Sequence, residues 1–182
     1  ARSAGFTAIS LREDDELIGV KLTRGTTELI ASTREGLSIR FPETDVREMG
    51  RSAFGVIGIR LNKEDRVVAM DIVEEDADLL VISEKGFGKR TPIEEYTVQS
   101  RGGKGILTSK ITDKTGKLVG MKVVKKDDEV MLISTEGIII RISVNDISVM
   151  GRSTQGVTLM RMGDKDNVVT LAKISADTTE QE

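Results

Sequence analysis

Short runs rich in Val, Ile, Leu and Met recur along this chain, each closed by turns containing Asp or Gly. Their spacing is too tight for ordinary helices, so the pattern predicts β-strands. Between residues 56 and 91 it predicts four of them, near 56–61, 67–73, 78–83 and 87–91. The turn between the last two has a recurring form: Thr33-Arg-Glu-Gly36, Ser83-Glu-Lys-Gly86 and Ser134-Thr-Glu-Gly137. A glycine closing such a turn suits a hairpin that needs one residue at positive φ.

The pattern repeats at a period of 50, then 51 residues. Segments 28–56, 78–106 and 129–157 align without gaps. They match Gly36, Gly86 and Gly137; Arg40, Arg90 and Arg141; Asp45, Glu95 and Asp146; Arg51, Arg101 and Arg152; and Gly55, Gly105 and Gly156. The stretches between them repeat as well, as FTAISLREDDELIGVKLT, VIGIRLNKEDRVVAMDIV, ILTSKITDKTGKLVGMKVV and VTLMRMGDKDNVVTLAKI. The chain therefore reads as an all-β, propeller-like array of four-stranded blades with about three and a half repeats. The boundaries read from sequence are 1–5 (tail of a preceding blade), 6–55, 56–105 and 106–156 (blades), and 157–182 (a partial blade with an acidic tail). On this reading the chain is a fragment of a longer array, with a frayed polar end at SADTTEQE.

Composition narrows the chemistry. The 182 residues contain no Cys and no His, which removes disulfides, thiolate or imidazole zinc sites and Ser-His-Asp triads from within the chain. No catalytic and no metal-ligating residue is expected. The absence of an apolar run of membrane length predicts a soluble, cytoplasmic protein with no membrane contact. Net charge is −3, so any nucleic-acid signal has to be local. With no Trp and one Tyr, stacking platforms for single-stranded bases are disfavoured.

The repeats serve as controls for one another, and the middle one departs from its sisters. Lys104 stands where they have Phe54 and Gln155, and Lys89 where they have Ile39 and Ile140. Gly102-Gly103 replaces Ser52-Ala53 and Ser153-Thr154, and Gly88 replaces Ser38 and Ile139. The window 85–105 carries a net charge of +3, against −1 for 35–55 and 0 for 136–156. Glycine beside cations lets backbone N–H groups approach a phosphate while Lys and Arg neutralise it. A P-loop does not fit, because GGKGI lacks the GxxxxGK[ST] spacing and precedes a strand. Two readings of the repeated Arg51, Arg101 and Arg152 stay open: a tie to carbonyls or to the repeated acids, or a phosphate contact once per blade.

The stretch QSRGGKG at 99–105 resembles, with Ser100 in place of Arg, the QRRGGKG box of bacterial DNA gyrase A subunits. EYTVQSRGGKG, MGRSAFGV and TEGIIIRISVNDISVMGRSTQGV are similar to the carboxy-terminal domain of that family, and the similarity covers essentially the whole chain. The related topoisomerase IV subunit is the close alternative. The resemblance implies a β-pinwheel of about six blades, with this chain as its later portion, and non-specific wrapping of double-stranded DNA around a basic rim in support of ATP-dependent negative supercoiling. For topoisomerase IV it would imply positioning of DNA for decatenation. In the family the defining box lies in the first blade, so the full box is expected upstream.

Candidate DNA contacts are Lys89, Arg90, Arg101, Gly102, Gly103 and Lys104, with Arg40, Arg51, Arg141 and Arg152 continuing the track. No catalysis and no cofactor is expected in this fragment. ATP and Mg2+ would belong to the parent complex, an A2B2 assembly of gyrase A and B subunits in the bacterial cytoplasm at the nucleoid. Two other classes fit less well. A protein-binding propeller scaffold of the WD kind wants Trp-Asp signatures, and a propeller hydrolase wants converging acids or histidines.

Overall fold

The computed structural model describes residues 5 to 174, so the stretches read as a preceding tail (up to residue 4) and as an acidic end (175–182) lie outside the described residues. Three β-hairpins form the framework: β1 (Glu28–Thr33) with β2 (Leu37–Pro42), β4 (Asp78–Ser83) with β5 (Phe87–Pro92), and β8 (Glu129–Ser134) with β9 (Ile139–Ser143). Their turns close on Gly36, Gly86 and Gly137 at φ of +84°, +79° and +80°, the left-handed geometry the turn motif called for. A single 3-10 turn follows each hairpin, at Glu43–Asp45, Ile93–Glu95 and Val144–Asp146.

The remaining strands are β3 (Val67–Ile72), β6 (Ile106–Leu107), β7 (Leu118–Val124), β10 (Val157–Thr158) and β11 (Val168–Ile174). The sheets run β3-β1-β2-β6, β10-β5-β4-β7 and β11-β8-β9. Each hairpin thus takes its inner strand from the following stretch, and the first two take an outer strand from the stretch after that. This corrects the strand grouping read from sequence. The strand near 67–73 forms but pairs with β1, not with β4, and the sheet around β4 and β5 is completed by β7 and β10. Nor does 56–61 form a strand. Its counterpart Ile106–Leu107 pairs with the outer edge of β2, whereas among the described residues no hairpin precedes β1 to offer 56–57 such an edge. β9 has no outer neighbour among the described residues.

Alternation along the hairpin strands splits each of them between two cores. Leu29 and Ala31 pack with Ile39, Phe41 and Ile59 on one side. Ile30 points the other way and meets Leu79, Val81, Leu118 and Met121 between the first two sheets. Leu80 and Ile82 face Val130, Leu132 and Leu171 between the second and third. A central strand buried on both faces is apolar throughout, which is why β4 reads Leu-Leu-Val-Ile rather than alternating. Full burial of one such side chain stabilises by about 1.5–3 kcal/mol.

Candidate nucleic-acid interface

β5 carries Lys89, one of the two lysines that distinguish the middle repeat, and beside it Arg90, which every repeat shares. Lys89 is fully buried. Its ammonium donates to the carbonyls of Gly151 (2.6 Å) and Arg152 (2.7 Å) and to Thr154 Oγ1 (3.0 Å), all on the connector of the next repeat. Burial lowers its pKa to about 8; the Glu95 carboxylate opposes this and the Arg152 guanidinium adds to it. Arg90, nearly as buried, donates from Nε to Ile147 O (2.8 Å) and from Nη1 to Asp78 Oδ2 (2.8 Å). Both side chains point into the joint between repeats, so the expectation that they contact phosphate is corrected. No proton of the Lys89 ammonium is left for an external anion.

Arg40 does the same one repeat earlier. It pairs with Glu28 and donates from Nη1 to the carbonyls of Ile93 (3.0 Å) and Tyr96 (3.2 Å), which begin and follow the next 3-10 turn. The backbone follows the side chains: Arg40 and Arg90 form parallel bridges with Val98 and Val149. Arg141, the third member, is exposed and bonded to Glu129 alone among the described residues. The hairpin arginine is a latch that grips the 3-10 turn of the following repeat. Its guanidinium is committed at positions 40 and 90.

The arginine of the 99–105 turn is a second latch, pointing backwards. Arg101 donates from Nε to Asp45 O (2.9 Å) and from Nη1 to Ile57 O (2.5 Å), while its backbone N–H meets Asp45 Oδ2 (3.0 Å). Arg152 repeats two of these three bonds, from Nη1 to Leu107 O (3.0 Å) and from its backbone N–H to Glu95 Oε2 (3.4 Å). Arg51 instead lies over the Phe6 ring, 4.7 Å from its centroid. The tie to carbonyls and repeated acids is therefore present, and the acids involved belong to the preceding repeat.

The glycines of the turn serve the same joint. The Gly102 N–H donates to Gly58 O (2.7 Å), and the Gly103 carbonyl accepts from the Arg60 N–H (2.7 Å). A Cβ on Gly105 would stand 2.6 Å from Ser38 O, so this glycine permits close strand approach. Gly88 does likewise beneath β10, where a Cβ would meet Leu159 Cδ1 at 2.5 Å and Val81 O at 2.7 Å. Lys104 projects from the turn: it is exposed, and its side chain has no hydrogen bond or ion pair among the described residues. Of the cations in the window 85–105, Lys89 and Arg90 face inward, which leaves Lys85, Arg101 and Lys104 against Glu94 and Glu95.

Comparing the repeats by sequence overlooks one set of side chains. Arg60, Lys110 and Arg161 occupy one equivalent position in three successive stretches, are exposed, and make no side-chain hydrogen bond or ion pair among the described residues. The signal is present in the aligned stretches VIGIRL, LTSKI and LMRM, where the residue before each is apolar or small and the cation recurs. Elsewhere, Tyr96 is buried and its hydroxyl is 2.5 Å from Thr108 Oγ1. Among the described residues no cluster of Asp and Glu could hold a metal ion, and no helix is long and apolar enough to cross a membrane.

The family whose model matches this chain is described as "DNA gyrase C-terminal domain, beta-propeller", over residues 2–24, 27–74, 77–125 and 128–175. These segments carry the repeat. The A subunit of DNA gyrase from Staphylococcus aureus (strain MRSA252) is 45% identical over 179 residues, covering 97% of this chain and 20% of that protein. The chain thus spans a fifth of the length of that relative. Among solved structures, the C-terminal domain of DNA topoisomerase IV superposes with a TM-score of 0.89 at 26% identity, over 93% of this chain and 53% of that one. The DNA gyrase A C-terminal domain gives 0.88 at 28% identity, over 94% and 58%. With its repeats matched one by one and its sheets superposed on both relatives, the chain belongs to the DNA gyrase C-terminal domain family of β-propeller proteins.

Proposed function

We propose that this chain is the duplex-DNA-binding region of a type IIA topoisomerase of the gyrase kind, and that it bends DNA around its basic edge without reading sequence. The observation that carries the reading is the match of every repeat to the gyrase C-terminal family, together with the projecting Lys104 on the turn that departs most from its sisters. The chemistry is consistent with it. Wrapping requires phosphate neutralisation along a curved path and little base readout. Smooth bending of a site of 20–30 base pairs costs on the order of 1–6 kcal/mol, which distributed cation contacts must offset.

In the whole protein this binding would support ATP-dependent negative supercoiling. ATP and Mg2+ would be held by other regions of an A2B2 complex of gyrase A and B subunits in the bacterial cytoplasm at the nucleoid. The identity of 45% to a gyrase protein favours supercoiling over the decatenating role of topoisomerase IV, which the fold accommodates equally well at TM-scores of 0.89 and 0.88. The test is duplex binding by the chain across a salt series, with supercoiling and decatenation assays on the full-length protein. Log affinity should fall linearly with log salt. Binding that is absent at low salt, or indifferent to salt, would overturn the proposal.

A further inference from the structure

We infer that the DNA backbone is followed from repeat to repeat by Arg60, Lys110 and Arg161, one cation per repeat, with Lys104 added in the middle one. This rests on the duplex-binding reading above and replaces the hairpin arginines as the track.

Backbone contacts establish the equivalence independently of sequence. The Arg60 N–H donates to Gly103 O (2.7 Å), and the Lys110 N–H to Thr154 O (3.1 Å), the same place in successive connector turns. The N–H groups of Thr108 and Ser109 converge on Gly36 O, and those of Leu159 and Met160 on Gly86 O, the hairpin-turn glycines. Lys110 and Arg161 are the next residues along. At each place a buried residue (Ile59, Ser109 or Met160) precedes an exposed cation, so the anchor fixes which way the cation points.

Their state of occupation separates these cations from the other repeated basic positions. The guanidinium groups at 40 and 90 are bonded to carbonyls and carboxylates, and those at 101 and 152 donate to the carbonyls of Ile57 and Leu107. Arg60, Lys110 and Arg161 have no such partner among the described residues. In the turns that follow, Asp65 Oδ1 accepts the Glu35 N–H (3.0 Å) and Asp166 Oδ1 the Glu136 N–H (3.1 Å), so these two oxygens are turned to the hairpins. A repeated, outward, unpaired cation on a rigid backbone anchor is what a phosphodiester chain, periodic and anionic, can register against. Arg60 is tied to the carbonyl just before Lys104, so the middle turn places two free cations together. At the next turn the residue after the tied carbonyl, Thr154, is the uncharged Gln155.

The experiment titrates the full chain, as parent and as the triple variant Arg60→Ala, Lys110→Ala, Arg161→Ala, against a fluorescein-labelled mixed-sequence duplex at several salt concentrations. Each lost phosphate contact should reduce the slope of log affinity against log salt by about 0.9, so the triple variant should lose about 2.7. Its unfolding midpoint should equal the parent's. Arg60→Lys with Arg161→Lys should retain the parent slope, which would separate charge from fold. A triple variant that folds and keeps the parent slope overturns the track, with duplex binding intact; a parent with no salt-dependent binding overturns the duplex reading itself.

Discussion

Replacing Lys89 by Met keeps the length of the buried stem and removes only the ammonium. Three hydrogen bonds go, to Gly151 O, Arg152 O and Thr154 Oγ1, although Gly151 O keeps the Thr154 hydroxyl as a donor (2.9 Å). Hydrogen bonds to a charged group contribute about 1.5–3 kcal/mol each. Two effects reduce the sum. Burial of the charge costs enough to lower the pKa to about 8, and the 151–154 turn is open enough for water to reach some of the acceptors. The equivalent Ile39 is fully buried among Phe41 and Ile59, so an apolar side chain suits this groove. The net expected loss is about 1–3 kcal/mol, or about 2–12 °C in melting temperature for a chain of this size.

The assay is thermal and urea unfolding of parent and variant, with the salt slope of duplex binding in parallel. Stability should fall while the slope stays the same. pH supplies a second arm. The amine loses its proton near 8 when folded and near 10.5 when unfolded, so between those values the unfolded chain binds more protons. The parent should therefore gain stability relative to Lys89→Met as pH rises through that window, by at most about 3 kcal/mol. A variant as stable as its parent, with a slope reduced by about 0.9, would refute the argument and return Lys89 to the surface as a phosphate contact.

Three further outcomes are expected from the joints. Gly137→Ala should cost about 1–2 kcal/mol, because φ is +80° but no atom lies near the added Cβ; Gly86→Ala should cost at least twice that, since the new Cβ would collide with Met160 O, and urea titration compares the two. Gly88→Ala should lower the melting temperature as its Cβ meets Leu159 and Val81, whereas Gly103→Ala, whose nearest atoms are 3.6 Å away, should change it by no more than the scatter of a surface substitution. Tyr96→Phe leaves Thr108 Oγ1 without its partner in a buried site and should cost about 1–2 kcal/mol by chemical denaturation; an unchanged midpoint would mean that this bond contributes nothing.

The hairpins, their glycine turns and the period were legible because they are local: Gly36, Gly86 and Gly137 mark φ, and the apolar runs mark strands. Which strand pairs with which was not. Val67–Ile72 presents the same apolar faces whether it lies beside β1 or β4, so periodicity carries no information about the choice. Lys89 misled for a related reason. β5 is buried on both faces, so no outward register exists for a cation to occupy, and a Lys standing where the sister repeats have Ile is better read as a long stem in an apolar groove. Comparison of repeats recognised Lys104 because it differs from Phe54 and Gln155, and overlooked Arg60, Lys110 and Arg161 because they are alike. Only the hydrogen-bond partners separate shared residues that hold the fold from shared residues left free.

The sharing of strands between repeats also dictates an order of assembly as the chain leaves the ribosome. The first hairpin is finished at Pro42, but its sheet waits for Ile72 on one side and Leu107 on the other. The second, finished at Pro92, waits for Val124 and then Thr158. A growing chain therefore always trails an open edge until two further stretches have emerged. During synthesis the exposed strand is shielded only by its own successor, so a pause after Pro92 would leave β2 and β5 uncovered together and available to a neighbouring nascent chain.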